Sequence, residues 1–178
     1  MRVYYDTEFL EDGRTIDLIS IGMVAEDGRE LYLVNSEAPW RRIRKHDWLM
    51  ANVVPHLPKP HGDWRNQAPK SWLVDFWNPA VKPKARIADA VRQFLADTPA
   101  VELWADYGAY DHVVLAQLFG RMIDLPDGVP MWTNDLRQEV ARLGNPPLPD
   151  QPVGEHNALA DARHLKVRAE HLAALTAS

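Results

Sequence analysis

The first third of the chain alternates apolar, strand-like stretches with polar turns. Residues 2–9 are rich in Val, Tyr, Thr and Phe, and residues 18–24 form an apolar run. A turn containing Gly13 separates them, and an Asp-Gly pair at 27–28 precedes a third apolar stretch at 31–34. Because Asp-Gly between apolar stretches is a strong hairpin signal, this pattern predicts an antiparallel meander whose middle strand is buried on both faces.

Helical and strand-like patterns alternate in the rest of the chain. Apolar residues recur at helical spacing in residues 84–96, and residues 101–105 are strand-like. Further helices are expected over residues 40–54, 110–119, 134–143 and 157–174. Residues 55–83 are rich in Pro, Trp and His without a clear period, which predicts a long surface loop. A meander followed by alternating helices and strands indicates an α/β fold with a mixed sheet.

Composition narrows the class of protein. A chain of 178 residues is expected to form a single domain, residues 1–178. No apolar run approaches the roughly 20 residues that span a bilayer. The first residues lead straight into a predicted strand, which leaves no room for a signal peptide. The absence of cysteine excludes disulfides and thiolate metal sites and is consistent with a cytoplasmic location.

The charge balance of the protein is acidic, with a formal net charge of −5 and a pI of about 5.8. This balance argues against a broad basic groove that grips many phosphates, because such binding draws on Lys and Arg. It leaves open a nucleic-acid enzyme with a short footprint, in which bound metal ions supply the positive charge.

Two carboxylates lie on the first predicted strand. Asp6 and Glu8 are two residues apart, so their side chains leave the same face of the sheet. Taken alone, such a pair is typical of a solvated face. The first strand of a meander is, however, expected to be central here, where two carboxylates are costly unless they are paired or bind metal.

Two further carboxylates are expected on the buried faces of helices. Asp111 shares a helical face with Val114 and Leu115, and Asp161 shares one with Leu165. No Lys or Arg is expected on these faces to neutralise them. The alternative for Asp111 is an exposed residue in a first helical turn, where the helix dipole favours an acid.

His156 precedes the last predicted helix and follows the Pro-rich stretch 146–152. If it were helical it would lie about 140° from Asp161 around the axis, so both side chains cannot share one face. We therefore expect His156 on a loop, where it can move toward a substrate. In isolation, the position is also typical of a structural or exposed histidine.

Together the four carboxylates predict a metal site. Asp6, Glu8, Asp111 and Asp161 come from three segments that turn toward the same internal face, and such a cluster repels itself unless cations are bound. All-oxygen ligands suit hard ions such as Mg²⁺ or Mn²⁺. Two such ions about 4 Å apart form the clamp used for in-line phosphodiester hydrolysis.

These segments resemble, in order and residue type, the three motifs of the DEDDh group of 3′→5′ exonucleases, which has a ribonuclease H-like fold. The three matches are Asp6-Thr7-Glu8, then Tyr110-Asp111, then His156 and Asp161 in the pattern His-x-Ala-x-x-Asp-Ala. The resemblance spans residues 6 to 162 and implies a mixed five-stranded sheet flanked by helices. Within the group, the Asp-Thr-Glu-Phe start and residues 104–112 are most similar to the ribonuclease AS branch, which trims adenylate-rich RNA.

The resemblance implies a two-metal 3′→5′ exoribonuclease. Asp6 would bridge two divalent ions, Mg²⁺ or Mn²⁺, with Glu8, Asp111 and Asp161 completing their coordination. His156 would accept a proton from the attacking water, a role in which enzymes most often use histidine. The products would be 5′-mononucleotides released from single-stranded RNA, and a homodimer is also implied.

One residue departs from the family pattern. Where many relatives have His or Asn in the second motif, this chain has Asp106. Asp106 ends a predicted strand, a position where ligands often bind in α/β folds. It therefore competes with Asp111 as a ligand or assists it. We assign the metal role to Asp111 because the motif and the helical face both favour it.

Substrate contacts follow from the same resemblance and from the aromatic content. Thr7, Glu8, Phe9 and Tyr107 are expected to bind substrate, with Glu8 bonding the terminal sugar hydroxyl. Because single-stranded bases stack on aromatic rings, the further candidates are Trp40, Trp64, Trp72 and Trp77. Most Trp residues nevertheless serve in cores or interfaces. The basic residues within 41–45 are either phosphate contacts or a solvated helix face.

Two other functions remain compatible with the sequence. A 3′→5′ DNA exonuclease of the same fold would carry the same motifs. A catalytically idle module that binds nucleic acid or protein has no need of four carboxylates and His156, so the intact set argues against it.

Overall fold

The computed structural model describes residues 1–59 and 73–176, and a mixed six-stranded sheet forms its centre. The strands are β1 (Arg2–Glu11), β2 (Ile16–Ala25), β3 (Glu30–Asn35), β4 (Val81–Lys82), β5 (Glu102–Ala105) and β6 (Asn134–Asp135). Their order across the sheet is β4-β3-β2-β1-β5-β6. The first three strands pair antiparallel, whereas β4, β5 and β6 add in parallel. The predicted meander and its central first strand are confirmed.

Helices cover both faces of this sheet. They are α1 (Trp40–Ile43), α2 (Asp47–Asn52), α3 (Lys84–Ala96), α4 (Ala109–Gln117), α5 (Leu136–Arg142) and α6 (Ala158–Thr176). The predicted α/β class and ribonuclease H-like arrangement are thus confirmed. Among the described residues, no helix combines the length and apolar character needed to cross a membrane.

The structure corrects the sequence prediction in the number of strands and in the helical segment at residues 40–54. The sheet has six strands, not five, because Val81–Lys82 pairs with β3 and Asn134–Asp135 pairs with β5. A two-residue strand is too short to produce a detectable period, so one was assigned to the long loop and the other to a helix. Residues 40–54 form two short helices rather than one, since the His46 side chain caps α2 by accepting the backbone N–H of Leu49 at 3.3 Å.

Side chains alternate along β1, so the two faces of this strand have different surroundings. Val3 and Tyr5 pack in the core cluster that includes residues of α3 and α4, whereas Tyr4 packs with residues of α5 and α6. Because side chains alternate along a strand, Asp6 and Glu8 point toward α6, and Thr7 points toward α4. β1 therefore presents Asp6 and Glu8 to one helix layer only.

A close approach of helix and sheet brings α6 onto β1 and β2. Gly22 pairs directly with Asp6 across the β1–β2 ladder. A Cβ at Gly22 would lie 2.3 Å from the carbonyl group of Ala158 and from the amide N of Leu159. Only glycine permits this contact, which places the first turn of α6 over the strand and Asp161 beside Asp6.

Replacing Gly22 tests that close approach. Gly22→Ala should destabilise the protein by about 1–3 kcal/mol, because the added carbon meets backbone atoms that cannot rotate away. It should also weaken divalent-metal binding, since α6 must move away from β1. Thermal unfolding with and without Mn²⁺ measures both effects, and the larger Gly22→Ser should cost more. Wild-type melting behaviour in both variants would contradict this account.

Candidate functional site

Three carboxylates meet where β1 passes under α6. Asp6, Glu8 and Asp161 each offer an oxygen, and these atoms all lie within 4.8 Å of one another. The strand alternation and the Gly22 contact explain the convergence, because they turn both β1 carboxylates and the first turn of α6 toward one point. Three acidic oxygens at this separation form a candidate site for hard divalent cations.

Asp111 lies at the wall of the same cavity, at the start of α4. Its side chain is 5% exposed, which rules out the alternative of an exposed first-turn acid. The Oδ1 atom of Asp111 accepts hydrogen bonds from the Thr7 backbone N at 2.8 Å and from the Thr7 Oγ1 at 2.6 Å. The Thr7 hydroxyl therefore orients Asp111, and a direct role of Thr7 in substrate binding stays a prediction.

The four carboxyl groups have raised pKa values. Burial, then the nearby charges of Asp111 and Glu8, raise the pKa of Asp6 well above its ordinary value. Burial and the charge of Asp161 raise the pKa of Glu8 to about 8. Burial raises the pKa of Asp111 to about 6 and also raises that of Asp161, although hydrogen bonds partly offset both shifts. Such a cluster is unfavourable when ionised, and bound cations would relieve the repulsion.

These shifts predict how the stability of the metal-free protein depends on pH. The pKa of the Glu8 carboxyl rises from 4.5 ordinarily to about 8 in the fold, and that of Asp111 from 3.8 to about 6. When folding raises the pKa of a carboxyl group, its contribution to stability is fully present below the ordinary pKa of that group. The contribution is lost as the pH rises through the pKa in the folded protein. The metal-free protein should therefore melt at lower temperature at pH 8 than at pH 5. Mn²⁺ should raise the melting temperature more at pH 8.

Calorimetry across this pH range, with Glu8→Gln as the matched control, checks the prediction. Removing the titrating carboxyl should make the pH slope of the metal-free protein shallower, because one contribution to the slope disappears. A metal-free melting temperature that rises from pH 5 to pH 8, or the same slope in the variant, would contradict it.

His156 lies on the loop before α6, as predicted. Its backbone adopts a left-handed conformation with φ of 64°, and its side chain lines the cavity together with Asp6 and Asp161. The loop is tied to α6 upstream of His156, because the side chain of Gln151 donates to Asp161 Oδ1 at 2.6 Å. The imidazole therefore lies beside the carboxylate cluster while remaining on a segment of its own.

The Pro-rich stretch that leads to His156 is held on α6 at the carbonyl of Pro149. The oxygen of Pro149 accepts from His164 Nε2 at 3.0 Å and from Arg168 Nε at 3.1 Å. Both donors lie on α6, so the loop follows the helix that carries Asp161.

Asp106 has different partners from the carboxylates of the cluster. It accepts from Arg137 at 2.5 and 2.9 Å and from Arg168 Nη1 at 3.3 Å. The expectation that no Lys or Arg lies on the carboxylate-bearing faces was wrong, since Arg168 follows Asp161 by two turns of α6. Its long side chain crosses to the end of β5, which no periodicity reveals. Two guanidinium partners argue that Asp106 supports the site rather than replacing Asp111.

Aromatic side chains form the remaining walls of the cavity, whose volume is about 340 Å³. Phe9 stacks on Tyr110, with ring centroids 5.9 Å apart and planes 12° apart. Tyr107 is 69% exposed, and the guanidinium of Arg137 lies 4.8 Å from its ring centroid. Phe9 and Tyr107, both expected to bind substrate, are thus placed at the cavity.

The sequence reasoning missed Trp48, which also lines the cavity. Its ring contacts that of His156 edge to face, with centroids 4.9 Å apart. Of the tryptophans proposed instead, Trp40 packs against Phe76 and donates to the Ser36 carbonyl, away from the cavity. Trp77 is 84% exposed and is also not among the described lining residues. Trp64 and Trp72 lie outside the described residues. No spacing signal marks Trp48, because its partner is more than a hundred residues away.

The basic segment before α2 is partly used within the fold. Arg42 forms ion pairs with Asp12 at 2.6 Å and with Asp17 at 3.1 Å, which ties α1 to the β1–β2 hairpin. Arg41 and Lys45 line a separate surface pocket beside Trp40. Arg42 is exposed, as expected for a solvated helix face, and the ion pairs are an addition from the structure.

The chain is similar to known proteins along most of its length. A family model described as "3'-5' exoribonuclease Rv2179c-like domain" matches residues 1–173. Two curated proteins of Mycobacterium tuberculosis are similar, namely "3'-5' exoribonuclease Rv2179c" of strain ATCC 25618 / H37Rv and "3'-5' exoribonuclease MT2234.1" of strain CDC 1551 / Oshkosh. Each is 44% identical over 166 residues, which cover 92% of this chain and 88% of the relative. The family match includes every residue of the cavity described above.

Proposed function

This chain belongs to the Rv2179c-like 3′-5′ exoribonuclease family, and from that premise we propose that it removes nucleotides one at a time from single-stranded RNA by a two-metal mechanism. The family membership makes the protein an exoribonuclease with RNA as its substrate. The observation that supports the mechanism is the convergence of Asp6, Glu8 and Asp161 within 4.8 Å. We further propose that residues 1–178 act as one exonuclease domain.

The donor set suits divalent metal ions. All the candidate ligands are carboxylates, and their raised pKa values mean that they need positive charge nearby to be ionised together. In this proposal the ions would be held by Asp6 and Glu8 from β1, by Asp161 from α6 and by Asp111 from α4. Mg²⁺ or Mn²⁺ bound there would stabilise the charge on the attacking and leaving oxygens.

His156 is proposed as the general base. It lies beside Asp6 and Asp161 in the cavity, on a loop distinct from the ligand-bearing elements. From there the imidazole accepts the proton of the attacking water, and the 3′ oxygen of the preceding nucleotide leaves. The product is a 5′-mononucleotide.

Recognition of the RNA end is proposed to use the cavity walls. Glu8 bonds the 2′-hydroxyl of the terminal sugar, the group that distinguishes RNA from DNA, and Phe9 and Tyr107 contact bases. The resemblance to the ribonuclease AS branch supports a preference for adenylate-rich ends and a homodimeric assembly. Thr7 contributes by orienting Asp111.

A gel time course tests the proposal. Single-stranded RNA and DNA of matched sequence, labelled at the 5′ end, are incubated with Mn²⁺, Mg²⁺ or EDTA. We expect a ladder that shortens from the 3′ end, faster on RNA than on DNA, and absent with EDTA. Substrates ending in adenylate or uridylate runs then test the base preference.

The alternatives predict different ladders. Shortening of DNA alone would keep the mechanism and overturn the substrate. Absence of cleavage under every metal, with RNA binding retained, would instead indicate the idle binding module.

A further inference from the structure

Helix α2 supports the loop that carries His156. Trp48 of α2 contacts the His156 ring edge to face, with centroids 4.9 Å apart and planes at 77°. One residue further along the loop, the Asn157 side chain donates to the carbonyl of His56, just beyond α2, at 3.2 Å. The loop therefore rests on α2 and the turn after it at two successive residues.

Trp48 is anchored through its helix, but part of its indole is exposed. Its neighbour Leu49 is 3% exposed and belongs to a hydrophobic core cluster, which holds α2 in place. Trp48 itself is 50% exposed, and its open surface lines the cavity that also contains Asp6, Glu8 and Phe9. One side of the indole therefore contacts the imidazole of His156. Another side is open to the cavity, where the 3′ end of the RNA would bind.

The position of His156 depends on such contacts. The residue has φ of 64°, a conformation that residues with a Cβ adopt uncommonly, and the preceding turn contains Gly154 with φ of 84°. The contact with Trp48 is one of the interactions that orient the imidazole on this loop. Phe9 and Tyr110 stack on each other across the cavity, so Trp48 is the wall residue in contact with the imidazole among the described ring pairs.

We propose that Trp48 is a positioning residue that couples the 3′-terminal base of the RNA to His156. The base stacks on the open surface of the indole and immobilises it, and the immobilised indole holds the imidazole toward the attacking water. This inference rests on the proposed function of His156 as the base. It predicts that a terminal base accelerates turnover, rather than merely tightening binding, and that it does so through Trp48.

Steady-state kinetics on two RNA substrates test this coupling. One substrate ends in an ordinary 3′ nucleotide, and the other ends in an abasic ribose. For the wild type with Mn²⁺, we expect removal of the base to lower kcat about tenfold, the effect of removing one aromatic stacking interaction from the transition state. Trp48→Leu should show a similar fall in kcat on ordinary RNA, but removal of the base should then change kcat little further. Trp48→Phe should restore most of the wild-type kcat and its dependence on the base.

Trp77→Ala is the matched control, because Trp77 is 84% exposed and does not line the cavity. It should keep the wild-type kcat on both substrates. The coupling is overturned if Trp48→Leu retains the wild-type kcat, or if loss of the indole and loss of the base lower kcat by independent factors. It is likewise overturned if only KM changes. A wild-type protein that fails to shorten ordinary RNA would overturn the proposed function instead.

Discussion

Asp6→Asn is expected to lower exoribonuclease turnover by about 10³-fold or more, because it removes a proposed metal ligand and with it several kcal/mol of charge stabilisation in the transition state. The same substitution should raise the melting temperature of the metal-free protein at pH 8. Asp6 is half-buried, and its desolvation together with the charges of Asp111, Glu8 and Asp161 opposes its ionisation. A neutral amide of the same shape removes that repulsion.

Lower turnover together with a higher metal-free melting temperature distinguishes a metal ligand from a residue needed for folding. Turnover on labelled RNA and melting of the EDTA-treated protein measure the two changes. Asp106→Asn is the control, because Asp106 is paired with Arg137 and Arg168 and its replacement leaves both guanidinium groups without that partner. It should lower the melting temperature instead. Near-normal turnover of Asp6→Asn, or a lower metal-free melting temperature, would refute the assignment.

His156→Ala should lower kcat by about 10²- to 10⁴-fold, the range that a positioned general base contributes. Metal binding should persist, because the candidate ligand atoms are the carboxylate oxygens of Asp6, Glu8 and Asp161, and the imidazole is not part of that group. The increase in melting temperature on adding Mn²⁺ should therefore match that of the wild type. This combination separates loss of the base from loss of the metals.

Single-turnover cleavage and metal-dependent melting of His156→Ala give the two quantities. His171→Ala is a suitable control, since His171 bonds the Pro147 carbonyl from α6 at 3.2 Å but does not line the cavity. It should keep most of the wild-type activity. If His156→Ala turned over RNA at a near-normal rate, another group would have to accept the proton.

Local periodicity was sufficient to predict the central elements of the fold and the direction of the acidic side chains. The period of two along β1 places Asp6 and Glu8 on one face, and the helical period aligns Asp111 and Asp161 with buried apolar residues. These relations involve residues only a few positions apart, and backbone geometry governs them directly. The α/β class and the candidate ligands could therefore be predicted from the chain alone.

Tertiary structure alone revealed the features that join distant segments. The Trp48–His156 contact, the pairing of Asp106 with Arg168 and the approach of Ala158 to Gly22 each bring together residues far apart in the sequence. No periodicity marks such pairs, because their distances depend on how helices pack on the sheet and on how far a long side chain reaches. The carboxylates are thus specified locally, whereas the surroundings of the proposed base depend on packing between elements.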